Sequence, residues 1–146
     1  MVPKYYRRNV WLVLLALVCC ASPVLGQVPA LDMPLTTEAG DPGRGKAVAV
    51  NSDLGNCLIC HGIPISEVPP GSSGDIGPSL EGIGARLSAG QLRQRIVDPK
   101  VINPQTIMPA YFISTGLTRV GAAYAGKTIL SAQQIEDLVA FLQTLK

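Results

Sequence analysis

Cys57, Leu58, Ile59, Cys60 and His61 set two thiols about one helical turn apart, with an imidazole directly behind them. A C-x-x-C-H run is the signature of c-type haem attachment. Thiols at that spacing reach the two vinyl groups on one edge of a porphyrin, and the histidine then turns its ring toward the iron. Composition narrows the alternatives. The chain has four cysteines, three methionines and one histidine in 146 residues, so any site needing two histidines is excluded. A closed zinc site asks for four ligands, and beyond its N-terminal stretch the chain offers two thiols and one imidazole, too few unless carboxylates join. A thioredoxin-type pair shares C-x-x-C but belongs beside a βαβ pattern, which is absent. A plain disulfide between Cys57 and Cys60 is the simplest competitor. Against it stands the placement of the sole histidine at the one position that haem attachment requires.

A histidine on iron leaves its second ring nitrogen in need of an acceptor, often a backbone carbonyl, which fixes the ring and raises its basicity. Pro78, in Gly77-Pro78, can supply that carbonyl or can be simply a turn proline. For a sixth ligand the chain offers Met33 and Met108 beyond its N-terminal stretch. A lone methionine is usually core filling, but a haem also takes a soft second ligand. Met108 is favoured, because it lies in the run Thr106-Ile107-Met108-Pro109-Ala110-Tyr111, stiffened by Pro109, whereas Met33 lies in a proline-containing arm. Lys100, Lys127 or an open position are the other candidates.

The elements that must hold these groups begin after a leader. Lys4, Arg7 and Arg8 precede an uncharged apolar run from Val10 to Ala21, then Pro23 and Val24-Leu25-Gly26 ahead of Gln27, which is a secretory signal pattern over 1–26. As a helix the run reaches about 18 Å, short of a hydrocarbon core of about 30 Å, so no membrane anchor is expected. Cys19 is not the small residue that lipid processing at Cys20 asks for. Removal of the leader takes Trp11, Cys19, Cys20 and three basic residues but no acidic one. The formal net charge of +2 therefore belongs to the leader, and the exported chain is slightly acidic with Cys57 and Cys60 as its only thiols. No basic stripe for nucleic acid and no disulfide framework beyond one bridge is present. Aromatic residues make up 5%, too few to fill a core of this size, so something other than side chains is expected in its middle.

Residues 27–40 read as an extended arm and 41–146 as one domain. Asp41 and Pro42 suit the cap and first position of a helix that runs through Ala47 to Val50 and is stopped by Gly55. Pro64, Pro69, Pro70, Gly71 and Gly74 make 62–77 a surface loop, and 77–84 is rich in turn residues. Ser88 with Gln91 forms a capping box for a helix through Leu92, Ile96 and Val97 to Asp98. The stretch 100–126 looks irregular, and its apolar residues need a buried partner. Ser131 with Gln134 opens a last helix, with Ile135, Leu138, Val139, Leu142 and Leu145 on one face and Gln133, Asp137 and Gln143 on the other.

Taken together, the helix before C-x-x-C-H, Gly77-Pro78-Ser79-Leu80, Met108-Pro109 and Leu138-Val139-Ala140-Phe141-Leu142 resemble the class I cytochrome c fold over roughly 41–146. Longer runs are similar to the SoxX family, the monohaem subunits of the sulfur-oxidising SoxXA complex. These are Gly74 to Leu80, Arg95 to Asp98, Ile102-Asn103-Pro104, Thr106 to Tyr111, and Tyr124 with Gly126-Lys127 before Ile135-Glu136-Asp137. The resemblance implies an all-α protein, about four helices around one haem c with long loops. Cys57 and Cys60 would hold the haem covalently, with His61 and Met108 as axial ligands. It implies a periplasmic partner of SoxA, whose own haem is where thiosulfate is joined to a cysteine of the carrier protein SoxY. This chain would accept electrons and pass them to a further acceptor such as a small cytochrome c, with the thiosulfotransferase chemistry on SoxA. An exported chain near neutrality, without a basic cluster for steering, points to an apolar patch at the haem edge near Cys57 as the surface facing SoxA. The rivals are a freely diffusing cytochrome c serving an oxidase or another dehydrogenase, and a five-coordinate haem enzyme of peroxide chemistry.

Overall fold

Helix α1 (Pro42–Val50) begins as its sequence predicts, with the Asp41 carboxylate accepting the Arg44 N–H at 2.7 Å and proline in the first turn. The structure, a computed structural model, describes residues 30–146. The expected leader and the first residues of the expected arm lie outside the described residues. Three further helices follow, α2 (Ile83–Arg86), α3 (Ala89–Val97) and α4 (Ala132–Thr144), and no strand is present among the described residues. The fold is the all-α, four-helix arrangement expected. Both capping boxes form: Ser88 with Gln91 on α3, and Ser131 with Gln134 on α4. The short α2 lies where only turns were expected, entered through Gly82 in the left-handed region (φ 64°).

Helices α1 and α4 cross at backbone contact. Gly45 lies buried against α4, where a Cβ would overlap the Asp137 carbonyl, and Gly40 meets the Glu136 carbonyl in the same way. Any side chain at Gly45 would therefore push the two helices apart. Leu138, Val139, Phe141 and Leu142 of α4 then close on Val48 and Ala49 of α1 and on Leu92 and Ile96 of α3. Leu130 and Ile135, at 1% and 0% exposure, are the most enclosed large side chains.

The face of α4 opposite the apolar one is covered in part, with Gln133 and Gln143 half-buried. Asp137 is 3% exposed and its neighbour Glu136 is 5% exposed, because the arm from Leu31 to Asp41 lies across α3 and α4. An arm without secondary structure of its own must find partners for its backbone groups, and the two carboxylates supply them. Glu136 accepts the Leu35 N–H at 2.9 Å and holds Arg93 of α3 through a bidentate pair at 2.7 and 2.8 Å. Arg93 in turn donates to the Leu31 carbonyl at 2.6 Å. Asp137 accepts the Asp41 N–H at 2.8 Å and a second bidentate arginine, Arg44, at 2.8 and 2.9 Å. Burial opposes the charge on Glu136, but Arg93 and the Leu35 N–H outweigh it and hold the carboxyl below its ordinary range. The Arg44 hydrogen bond lowers Asp137 likewise, against the cost of burial.

Candidate haem site

After α1 the chain turns through Gly55, whose N–H donates to Val48 O at 3.1 Å, and through Asn56 in the left-handed region (φ 47°). Cys57–Ile59 is a single 3-10 turn. The N–H groups of Cys60 and His61 both donate to Cys57 O, at 3.2 and 2.9 Å, so the two thiols and the imidazole issue from one tight turn. The proline-rich loop that follows is fastened back onto this turn. Gly74 N–H donates to Leu58 O and Gly77 N–H to Cys60 O, both at 2.8 Å. That return brings Gly77 and Pro78 to the imidazole.

His61 Nδ1 lies 2.7 Å from Pro78 O. A carbonyl only accepts, so Nδ1 carries the proton and Nε2 keeps its lone pair free for a metal. Gly77 packs flat against the ring, where a Cβ would stand 2.6 Å from Nδ1 and 2.7 Å from Nε2. Only glycine leaves the ring that room.

Cys57, Cys60, His61 and Met108 all line one cavity of about 920 Å³, near the upper end of the range for cofactor pockets. Its walls are mostly apolar, with Leu92 and Ile96 from α3 and Leu138 and Leu142 from α4. The irregular stretch after α3 contributes Ile102, Ile107, Tyr111, Leu117 and Val120, which is the buried partner that segment needed. Met108 is half-buried, and its N–H donates to Thr106 Oγ1 at 3.2 Å. Met33 is 79% exposed on the arm and is not part of the cavity wall. Lys100 and Lys127 line the cavity too, but their ammonium groups donate to backbone carbonyls, Thr106 O at 2.9 Å and Ala123 O at 3.3 Å.

The competing chemistries fare worse here. Burial, the main cause, pushes the Cys57 thiol up to about 11, away from the thiolate that a disulfide oxidoreductase uses. Among the described residues Cys57 and Cys60 stand as free thiols. Among the described residues no group of three or more His, Cys, Asp or Glu side chains is placed to hold a metal ion such as zinc.

The donor set, by contrast, fits a haem. Two thiols and an imidazole issue from one turn, a thioether comes from a separate segment, and the space between them is large and apolar. Arg95, Lys100 and Lys127 line it without a carboxylate partner among the described residues, and thus offer counter-charge to a group bearing two carboxylates. Sequence reasoning placed Gly77 only as a turn residue and assigned nothing to Tyr111 or Arg95. For Arg95 a signal was available, since it follows Leu92 by three residues and so shares a helix face that points at the cavity. Among the described residues no helix is long and apolar enough to cross a membrane.

Residues 43–146 match the family model for cytochrome c. Among solved structures the chain is similar to the crystal structure of SoxXA from P. pantotrophus, with 38% identity, 82% of this chain and 92% of that chain covered, and a TM-score of 0.71. No curated protein matched the sequence.

Proposed function

Because this chain belongs to the cytochrome c family, as a SoxX-like class I member that transfers electrons, we propose that it is the monohaem subunit of a SoxXA-type sulfur-oxidising complex. The observation that carries this reading is the convergence of Cys57, Cys60, His61 and Met108 on one apolar cavity. The covalently bound haem c typical of the family supplies a one-electron Fe(III)/Fe(II) couple. Cys57 and Cys60 would hold it through thioether bonds, and one such turn would hold one haem. His61, with its proton kept on Nδ1 by Pro78 O, and Met108 would be the side chains that hold the iron. With His61 and Met108 both holding the iron, no place would be left for substrate at the metal, so the chain would carry electrons and make no bonds.

Joining thiosulfate to a thiol forms a sulfur–sulfur bond, releases one proton and yields two electrons. In this reading that step occurs on SoxA, with a cysteine of SoxY as acceptor. A single haem takes one electron at a time, so this chain relays them singly to a small cytochrome c. Ile59, Ile76 and Ile107, exposed at 63%, 65% and 78%, stand at the rim of the cavity and form the apolar face that docks on SoxA. Export removes residues 1–26 and delivers the domain to the periplasm, where attachment and docking take place.

Purification of the tagged full chain from its own cells, grown on thiosulfate, tests this assignment. A second, larger haem protein is expected to co-elute in constant ratio, and thiosulfate with the carrier protein is expected to reduce the haem of the pair. A chain that elutes alone and is reduced by other dehydrogenases would instead be a freely diffusing cytochrome c.

A further inference from the structure

Tyr111 is outside the ligand set but stands where the segments carrying the ligands meet. Its phenol donates to Gly55 O at 2.8 Å, two residues before Cys57. Its N–H donates to Ile96 O near the end of α3, and its carbonyl accepts the Leu130 N–H at the entry to α4, both at 3.0 Å. The ring lines the same cavity as Cys57, His61 and Met108, and Met108 lies three residues upstream. Other hydrogen bonds around Met108 are local. Its own N–H goes to Thr106 Oγ1, the Thr106 N–H to Asn103 O, and Lys100 Nζ to Thr106 O. Among the described residues the phenol is the one hydrogen bond from the stretch 99–130 to the stretch 51–80. Burial, with the two thiols nearby, pushes the phenol up to about 12, so it stays a protonated donor at ordinary pH.

We propose that Tyr111 is a positioning residue: through Gly55 it fixes the separation between the Cys57–His61 turn and the Met108 segment, and so keeps the thioether seated on the haem iron. This rests on the reading of Met108 as the sixth ligand. A loop with a proline after its ligand and only local hydrogen bonds before it has few other restraints on that separation. Loss of the phenol leaves the Gly55 carbonyl without its donor and lets the two segments drift, while the ring itself continues to fill the wall.

The test uses the haem-loaded full chain and its Tyr111→Phe variant, which keeps the ring and removes only the hydroxyl. The readout is the rate at which added imidazole displaces the thioether, followed through the weak sulfur-to-iron band at the red edge of the ferric spectrum. Tyr111→Phe is expected to retain the band without imidazole and to lose it about two- to tenfold faster on addition, the equivalent of one net hydrogen bond. Ser88→Ala, which removes the cap of α3 and lowers overall stability, is expected to exchange at the wild-type rate. Equal rates for wild type and Tyr111→Phe would overturn the inference, as would equal acceleration by Ser88→Ala. A wild-type spectrum without the band would overturn the ligand reading first, and this inference with it.

Discussion

Gly77→Ala is expected to loosen the His61 imidazole, the proposed proximal ligand, while leaving all four proposed haem-binding side chains in place. The added methyl would stand 2.6 Å from Nδ1 and 2.7 Å from Nε2 of His61, well inside the ~3.5 Å at which nonbonded atoms rest. Neither partner is free to retreat. The ring is held by Pro78 O at 2.7 Å, and the Gly77 backbone is tied to Cys60 O at 2.8 Å. Whichever gives way, the contact between Nδ1 and Pro78 is stretched and the imidazole becomes a poorer donor. Groups that orient a metal-bound histidine are worth about 10- to 100-fold in metal affinity or activity. An electron-rich imidazole favours the ferric form, so a tenfold loss borne there raises the reduction potential by about 59 mV. Overpacking of this kind also costs about 1–3 kcal/mol of stability. A potentiometric titration and a denaturant curve read both effects. A wild-type potential together with a wild-type midpoint would show that the ring does not lie against Gly77 in the loaded protein.

Met108→Leu is expected to separate the proposed ligand role of this residue from its packing role. Leucine fills nearly the same volume, and swaps of this type cost less than about 1.5 kcal/mol, so the variant folds and attaches haem as before. What disappears is the only sulfur that the irregular segment brings to the cavity. The sulfur-to-iron band is then lost, external ligands such as imidazole bind without having to displace a protein ligand, and the potential falls. Thioether ligation raises potential, and axial ligands as a class command a span of ~0.8 V, so a fall on the order of 0.1 V or more is expected. Retention of the band would transfer the sixth position to another group. Lys100 and Lys127 are then next in order, since they too line the cavity.

The parts of this molecule that were legible in its sequence are the parts written locally. Asp41-Pro42, Ser88 with Gln91 and Ser131 with Gln134 each mark a helix start within four residues, and all three starts are present as read. The turn that carries Cys57, Cys60 and His61 is likewise contained in five consecutive residues. The cavity was visible only as a deficit, too few aromatic side chains to fill a core of this size. What stayed hidden depends on residues far apart in the chain. Asp137 has the helical spacing of a surface residue, and nothing near it announces that Asp41 and Arg44 will cover it. The Arg93–Glu136 pair joins two helices through groups that both look solvent-bound in isolation. Gly77 reads as turn material until the fold lays it on an imidazole sixteen residues earlier in the chain. The Tyr111 bond to Gly55 is of the same kind. Periodicity and capping specify elements, whereas contacts between elements need the tertiary path.

The most direct test of the account is a mass spectrum, under denaturing conditions, of the full chain as its own cells export it, after treatment with a thiol-alkylating reagent. The expected chain begins at or near Gln27, is heavier by one haem, and has both Cys57 and Cys60 closed to alkylation, with the added mass on the peptide that spans them. A haem-free chain in which Cys57 and Cys60 take up the reagent, or are joined to each other as a disulfide, would contradict it.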